Sequence, residues 1–202
     1  MKKIFTLMML VFFTVGIAAC GNGANPSGGQ EMGGSKAAEA QQPSGGNKKI
    51  LVAYFSYSGN TEKVARQIHE HMGGDLFRIE TVTPYPQNYH ECTEVVKKEI
   101  ESNTKPQLKG GVANIRDYDI VFIGYPIWWY TAPMPIQSFL EAHDLAGKTV
   151  IPFCTSGGSP LSDSLPVIQK LCPASEIKPG IRAYPDDAAA TEKWLDALQL
   201  NK

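Results

Sequence analysis

Lys49-Ile50-Leu51-Val52-Ala53-Tyr54-Phe55-Ser56-Tyr57-Ser58-Gly59-Asn60-Thr61 is the stretch whose reading decides the fold. An apolar run with β-branched and aromatic members breaks into hydroxyls, a glycine and an asparagine. Val64, Ala65, Ile68 and Met72 then follow at helical spacing. The pattern predicts a buried strand, a tight turn and a helix. The turn gathers Ser56, Ser58 and Thr61 around Gly59 at a helix start. Free backbone N–H groups and the positive end of the helix dipole suit a phosphate there. The turn holds no Lys or Arg, so hydroxyls and amides alone would hold that phosphate. Ser58 or Asn60 could equally serve as a plain helix cap, and the rest of the chain has to arbitrate.

Beyond this stretch, strand and helix patterns alternate. Strands are expected at 49–55, 75–80, 119–125, 148–154 and, with the weakest pattern, 177–184. Helices are expected at 60–72, 88–102, 133–142, 160–171 and 187–199. Ile50 to Phe55, Ile120 to Ile123 and Val150 to Cys154 are nearly all apolar, as strands covered on both faces must be. The expected fold class is therefore α/β: a three-layer sandwich with a five-stranded parallel sheet of order 2-1-3-4-5 and helices on both faces. Residues 48–202 are enough for one such domain. A phospho-receiver shares this order but needs acidic groups at early strand ends to hold a divalent cation. Tyr54-Phe55 and Gly124-Tyr125 stand there instead, and no metal site is expected.

In this topology the ligand crevice lies beyond the ends of the first and third strands. The third strand runs into Gly124-Tyr125-Pro126-Ile127-Trp128-Trp129-Tyr130. Large aromatics in a loop suit a flat heteroaromatic ligand, or else they cover a corner of the core or a partner surface. The fourth strand ends in Thr155-Ser156-Gly157-Gly158-Ser159-Pro160. Glycines allow close approach to the backbone, and hydroxyls and amides can bond a polar ring edge; a plain strand-to-helix turn capped by Ser159 is the alternative. Taken together, the three loops match a terminal phosphate, a chain and a flat ring, which is flavin mononucleotide (FMN).

The domain resembles the flavodoxins, in particular the flavodoxin-like family that carries a Pro-Ile-Trp-Trp segment after the third strand. The likeness covers 48–202, and Tyr85-Pro86-Gln87-Asn88-Tyr89 is also similar to that family. The resemblance implies that Ser56, Ser58, Gly59, Asn60 and Thr61 hold the FMN phosphate. It implies that Pro126, Ile127, Trp128, Trp129 and Tyr130 line the ring, with Thr155, Ser156, Gly157 and Gly158 approaching from the other side. Two departures stand out. Electron-carrying flavodoxins are typically acidic and often sandwich the ring between two aromatics. This chain has a formal net charge of −1, and its loop after the fourth strand has no aromatic, which leaves one ring face open.

The N-terminus reads as an export signal. Lys2 and Lys3 precede an apolar run from Ile4 that ends Ile17-Ala18-Ala19-Cys20. The run is short for a spanning helix, and its ending resembles a bacterial lipobox. We expect a signal peptide at 1–19, a lipidated Cys20 and a Gly, Ser, Asn and Gln-rich tether over 20–47, with a mean span of about 26–31 Å by random-coil scaling. The expected location is the cell envelope, with the domain lipid-anchored and facing away from the cytoplasm. Near-neutral charge gives no case for nucleic acid. The four histidines read as surface or capping residues, and Cys92, Cys154 and Cys172 form no CxxC. A Cys92–Cys172 bridge is conceivable in an oxidising compartment.

The expected function is that of an FMN-binding redox protein. It would pass electrons to a redox partner protein or a small acceptor. An FMN-dependent NAD(P)H:quinone-type reductase and a non-catalytic binding lipoprotein are the alternatives.

Overall fold

The computed structural model describes residues 48–200. The expected signal segment, Cys20 and the tether lie outside the described residues. The elements in chain order are β1 (Ile50–Tyr54), α1 (Asn60–Met72), β2 (Asp75–Arg78), α2 (Tyr89–Ser102), β3 (Ile120–Pro126), α3 (Met134–Ala142), β4 (Thr149–Thr155), α4 (Leu165–Leu171), β5 (Glu176–Ile177), β6 (Ile181–Arg182) and α5 (Ala188–Ala197). All strand pairs are parallel, in the order β2-β1-β3-β4-β5, with β6 also paired to β4. This is the expected doubly wound α/β fold.

Alternation along the strands divides the core into two layers. Ile50, Val52, Tyr54, Ile120, Phe122, Ile151 and Phe153 face α1 and α5, where they meet Val64, Ala65, Ile68 and Leu195. Leu51, Ala53, Val121, Ile123, Tyr125, Val150 and Cys154 face the other helices, where they meet Cys92, Val96, Ile136, Phe139 and Ile168. Burying one such aliphatic or aromatic side chain contributes about 1.5–3 kcal/mol. In α1 the buried positions are Thr61, Val64, Ala65, Ile68 and Met72, one face of the helix.

The expected fifth strand is broken in two at Pro179-Gly180, opposite Pro152. Val150, Pro152 and Cys154 point their backbone polar groups toward β5 and β6: Lys178 N–H donates to Val150 O at 3.0 Å and Ala183 N–H to Cys154 O at 2.8 Å. Pro152 lies between them and has no N–H to give. The partner chain responds with one extra residue, since Val150 pairs with Ile177 while Phe153 pairs with Ile181. Pro179 carbonyl accepts from Trp194 Nε1 at 3.1 Å. Gly180 lies against the Pro152 carbonyl, which an added Cβ would approach to 2.1 Å. The expected helix over 160–171 is also divided, into a 3₁₀ turn at Leu161–Asp163 and α4. Cys92, Cys154 and Cys172 are all free and buried, so the Cys92–Cys172 bridge is not formed.

Gly124 has a packing role in mid-strand. A Cβ there would come within 2.1 Å of the Phe153 ring, which lies on the paired residue of β4. We predict that Gly124→Ala lowers unfolding free energy by about 1–3 kcal/mol, the usual cost of overpacking a filled core. Urea denaturation followed by far-UV circular dichroism checks this, and an unchanged midpoint would show that Phe153 yields freely.

Candidate functional site

The loops after β1, β3 and β4 meet at the C-terminal edge of the sheet, and Thr155 joins them. Its hydroxyl lies 2.9 Å from the Thr61 hydroxyl in a buried hydrogen bond. Its carbonyl accepts from Ile127 N–H at 3.0 Å. Pro126 ends β3 in register with it. Thr155 and Pro126 therefore shape the site through the backbone and through the loops they hold.

The loop over 56–61 is built for an anion. Gly59 takes φ +88° at the N-cap of α1, a left-handed conformation that glycine adopts without strain, and neither Ser58 nor Asn60 accepts from the first turn. The capping alternative for Ser58 and Asn60 therefore does not describe the loop. Ser56 is buried, and its hydroxyl accepts from Glu62 N–H at 3.2 Å. The next N–H, that of Lys63, bonds back to Gly59 carbonyl at 3.0 Å. Among the described residues, the N–H groups of Ser58, Gly59, Asn60 and Thr61 have no protein acceptor. An added Cβ at Gly59 would meet nothing within 4 Å. Four successive N–H groups without a protein acceptor at a helix start suit phosphate oxygens.

Arg78 of β2 braces the start of the turn, its charge matched by Glu62. Arg78 donates from Nη1 to Glu62 Oε2 at 2.6 Å and from Nη2 to Ser56 carbonyl at 3.4 Å. Glu62 also receives Arg66 at 2.7 Å. The Arg66 hydrogen bond, with Arg78 beside it, holds the Glu62 carboxyl below the ordinary carboxylate range.

The loop after β3 is strained. Trp128 and Thr131 exchange both backbone hydrogen bonds, at 3.0 and 3.1 Å, across a two-residue turn. Its central residues, Trp129 and Tyr130, take φ +48° and +60°. Both left-handed positions mark a type I′ turn, where Asn and Gly are the usual occupants. Here two bulky aromatics fill them, 48% and 70% exposed. Trp128 is anchored instead. Its indole meets Phe55, Tyr57 and Tyr85 edge to face, with centroids 5.3, 5.7 and 5.1 Å away. Behind it Tyr85 hydroxyl donates to Glu99 at 2.6 Å.

Tyr57, Ser58, Ile127, Trp128, Trp129, Tyr130 and Ser159 line a cleft of about 590 Å³, completed by Tyr89, Cys92, Thr93 and Val96 of α2. None of these side chains carries a formal charge. The α2 wall was not among the expected site residues; Cys92 was considered only for a bridge to Cys172. Burial raises the Cys92 thiol above its usual value, and the other two reach about 12 for Cys154 and about 11 for Cys172. None is a ready thiolate.

The loop after β4 is open. Ser156 hydroxyl accepts from Gly158 N–H at 3.2 Å. A Cβ on Gly157 or Gly158 would meet nothing within 4 Å, so protein packing does not demand glycine at either place. Arg182 at the end of β6 donates to Gly158 carbonyl at 2.9 Å. This arginine was also missed, since nothing in the sequence places 182 beside 158. The cradle, the uncharged aromatic cleft and the open glycine loop together fit a phosphorylated, flat heteroaromatic cofactor.

The comparisons agree with this architecture. A candidate flavoprotein of Bacteroides eggerthii is 40% identical, covering 76% of this chain and 99% of its own, with a TM-score of 0.66. Another, of Bacteroides uniformis, is 33% identical, covering 74% and 98%, with a TM-score of 0.69. A flavoprotein of Lactobacillus acidophilus in complex with FMN is 22% identical, covering 73% and 99%, with a TM-score of 0.63, and it shares the fold. No curated protein matches the chain. The flavodoxin family model matches residues 49–198, from the first strand through the last helix, and on that span the chain belongs to the flavodoxin family.

Proposed function

We propose that the domain binds FMN and carries electrons outside the cytoplasm, tethered to a membrane through a lipidated Cys20. The observation that carries the FMN reading is the run of unpaired N–H groups from Ser58 to Thr61. In this reading Ser58, Gly59, Asn60 and Thr61 hold the phosphate, with Ser56 fixing the start of α1. Ile127, Trp128, Trp129 and Tyr130 line one side of the ring, and Ser156, Gly157 and Gly158 the other. That a flavoprotein of this fold holds FMN supports the choice of ligand. The cofactor, when bound, supplies the electron chemistry, while the protein supplies binding, orientation and electrostatics.

A reductase is the second reading. It is favoured by the Gly157-Gly158 wall, which covers nothing and leaves room for a second substrate. We rank it below electron carriage because an exported protein meets little reduced nicotinamide. Rapid NADH or NADPH oxidation by the purified holoprotein, with no partner added, would reverse that ranking.

FMN should bind much more tightly than riboflavin, because without a phosphate the cradle's amides fall back on water. Ser58→Ala should weaken FMN by about 1.5–3 kcal/mol, the range for a hydrogen bond to a charged group, and leave riboflavin nearly unchanged. Titration by flavin fluorescence measures both. Equal affinities for the two flavins would remove the phosphate assignment.

Trp129→Gly should separate binding from stability. Relieving a left-handed bulky residue should stabilise the apoprotein by about 1 kcal/mol. The same change removes an exposed ring from the cleft, so FMN should bind less tightly and fluoresce more when bound. Thermal unfolding and fluorescence titration check the two halves. A loss of both stability and affinity would make the turn a core feature.

Cys20→Ser should block lipid labelling and leave the precursor unprocessed. Metabolic labelling with a fatty acid, together with mass spectrometry of the mature N-terminus, tests the anchor. A mature chain starting at any residue other than Cys20 rules it out.

A further inference from the structure

Two arginines touch the loops of the crevice, one from each flank, and they differ in their charge balance. Arg78 reaches Ser56 carbonyl from the β2 side, but its charge is matched by Glu62 at 2.6 Å. Arg182 reaches Gly158 carbonyl from the β6 side. Its other nitrogen donates to the Tyr184 hydroxyl, and its guanidinium lies 5.2 Å from the Tyr184 ring centroid. Among the described residues no carboxylate pairs with it. The two acids that follow in sequence are engaged elsewhere: Asp186 lies 3.7 Å from Lys63, and Asp187 caps α5 by accepting from Ala190 N–H. Arg182 is thus a half-buried cation with neutral partners, fixed to the glycine loop assigned to the ring.

We propose that Arg182 tunes the redox poise of this site by favouring the negatively charged reduced form of FMN over the neutral oxidised form. The proposal rests on the FMN reading above. Reduction of bound FMN would add two electrons, from a reduced redox partner protein or from dithionite in the test, and one proton from water, a net gain of one negative charge. A fixed cation near that ring acts on the charge difference, whereas the hydrogen bond to Gly158 carbonyl acts on both redox forms alike. A purely structural Arg182 would therefore change affinity but leave the ratio of the two affinities untouched.

The test compares the protein with Arg182→Gln and Arg182→Lys. FMN affinity is titrated in the oxidised state and again under dithionite, and the midpoint potential is measured independently by dye equilibration. In Arg182→Gln the ratio of reduced to oxidised affinity should fall about tenfold, a drop of about 30 mV for a two-electron couple. Arg182→Lys keeps the charge without the planar fork. It should hold the ratio near that of the parent even if both forms bind less tightly. Equal weakening of both redox forms in Arg182→Gln, or an unchanged potential, would overturn the proposal and leave the FMN reading standing. Failure of the parent protein to bind FMN in either state would overturn both.

Discussion

Thr155 holds the crevice together. Its side chain reaches the loop after β1 through Thr61, its carbonyl holds the loop after β3 through Ile127, and it is itself the last residue of β4. A parallel sheet covered on both faces leaves little freedom inside, since its strands are apolar and fully packed. Polar chemistry is confined to the edge where the strands end. At that edge three loops of different lengths have to be placed in register, and one buried threonine does this with two bonds. A neutral buried hydrogen bond contributes only about 1 kcal/mol net, but an unpaired hydroxyl left in its place costs about 1–3 kcal/mol. The Thr61–Thr155 pair is therefore held more by the penalty of breaking it than by the gain of making it. The cradle at Ser58 to Thr61 inherits its position from that pair.

The site itself departs from what the fold alone would select. Two aromatics in left-handed backbone and two glycines that nothing crowds are unfavourable or unnecessary for folding, and the N–H groups at the start of α1 are left to a ligand or to water. They occur together at one edge, beside a cleft with no formal charge. Backbone strain of this kind persists where the surroundings over-determine it. Here the anchor is Trp128, wedged edge-on among Phe55, Tyr57 and Tyr85. One tryptophan of the pair is spent on holding the turn, and this frees its neighbour to be displayed. The sequence shows two adjacent tryptophans and gives no means of telling the buried anchor from the exposed ring.

Much of the fold was legible because burial on both faces writes itself plainly into a strand. Ile50 to Phe55, Ile120 to Ile123 and Val150 to Cys154 could hardly be anything else, and the order of the sheet followed from the alternation. The loops could be assigned to one edge for the same reason. Side-chain roles within them were less legible. Ser56 hydroxyl also accepts from the first turn of α1, and Pro126 is the last residue of β3 rather than part of the loop. The α2 wall is formed by residues whose spacing is indistinguishable from an ordinary core stripe. Arg182 is brought to Gly158 only by the pairing of β6 with β4.

The break at Pro179-Gly180, opposite Pro152, is why that last pairing could not be read. A proline in a central strand removes one donor from the ladder, and an edge strand facing it has to give up regular pairing at that point. The chain gives it up by inserting a residue between β5 and β6, where the Pro179 carbonyl accepts from the Trp194 indole. The weak apolar pattern over 177–184 is the sequence trace of this interruption. Its consequence reaches the site, because the extra residue shifts the phase of everything after it. Ile181 falls opposite Phe153 and Arg182 opposite Cys154, at the end of the strand. Without the insertion, the residue at the Cys154 position would be Ile181, and the arginine would lie one step further out, beyond the last pair. The break at Pro179-Gly180, opposite Pro152, thus sets the phase that brings the guanidinium to the Gly158 carbonyl. A flaw in the ladder and an electrostatic feature of the crevice have one cause.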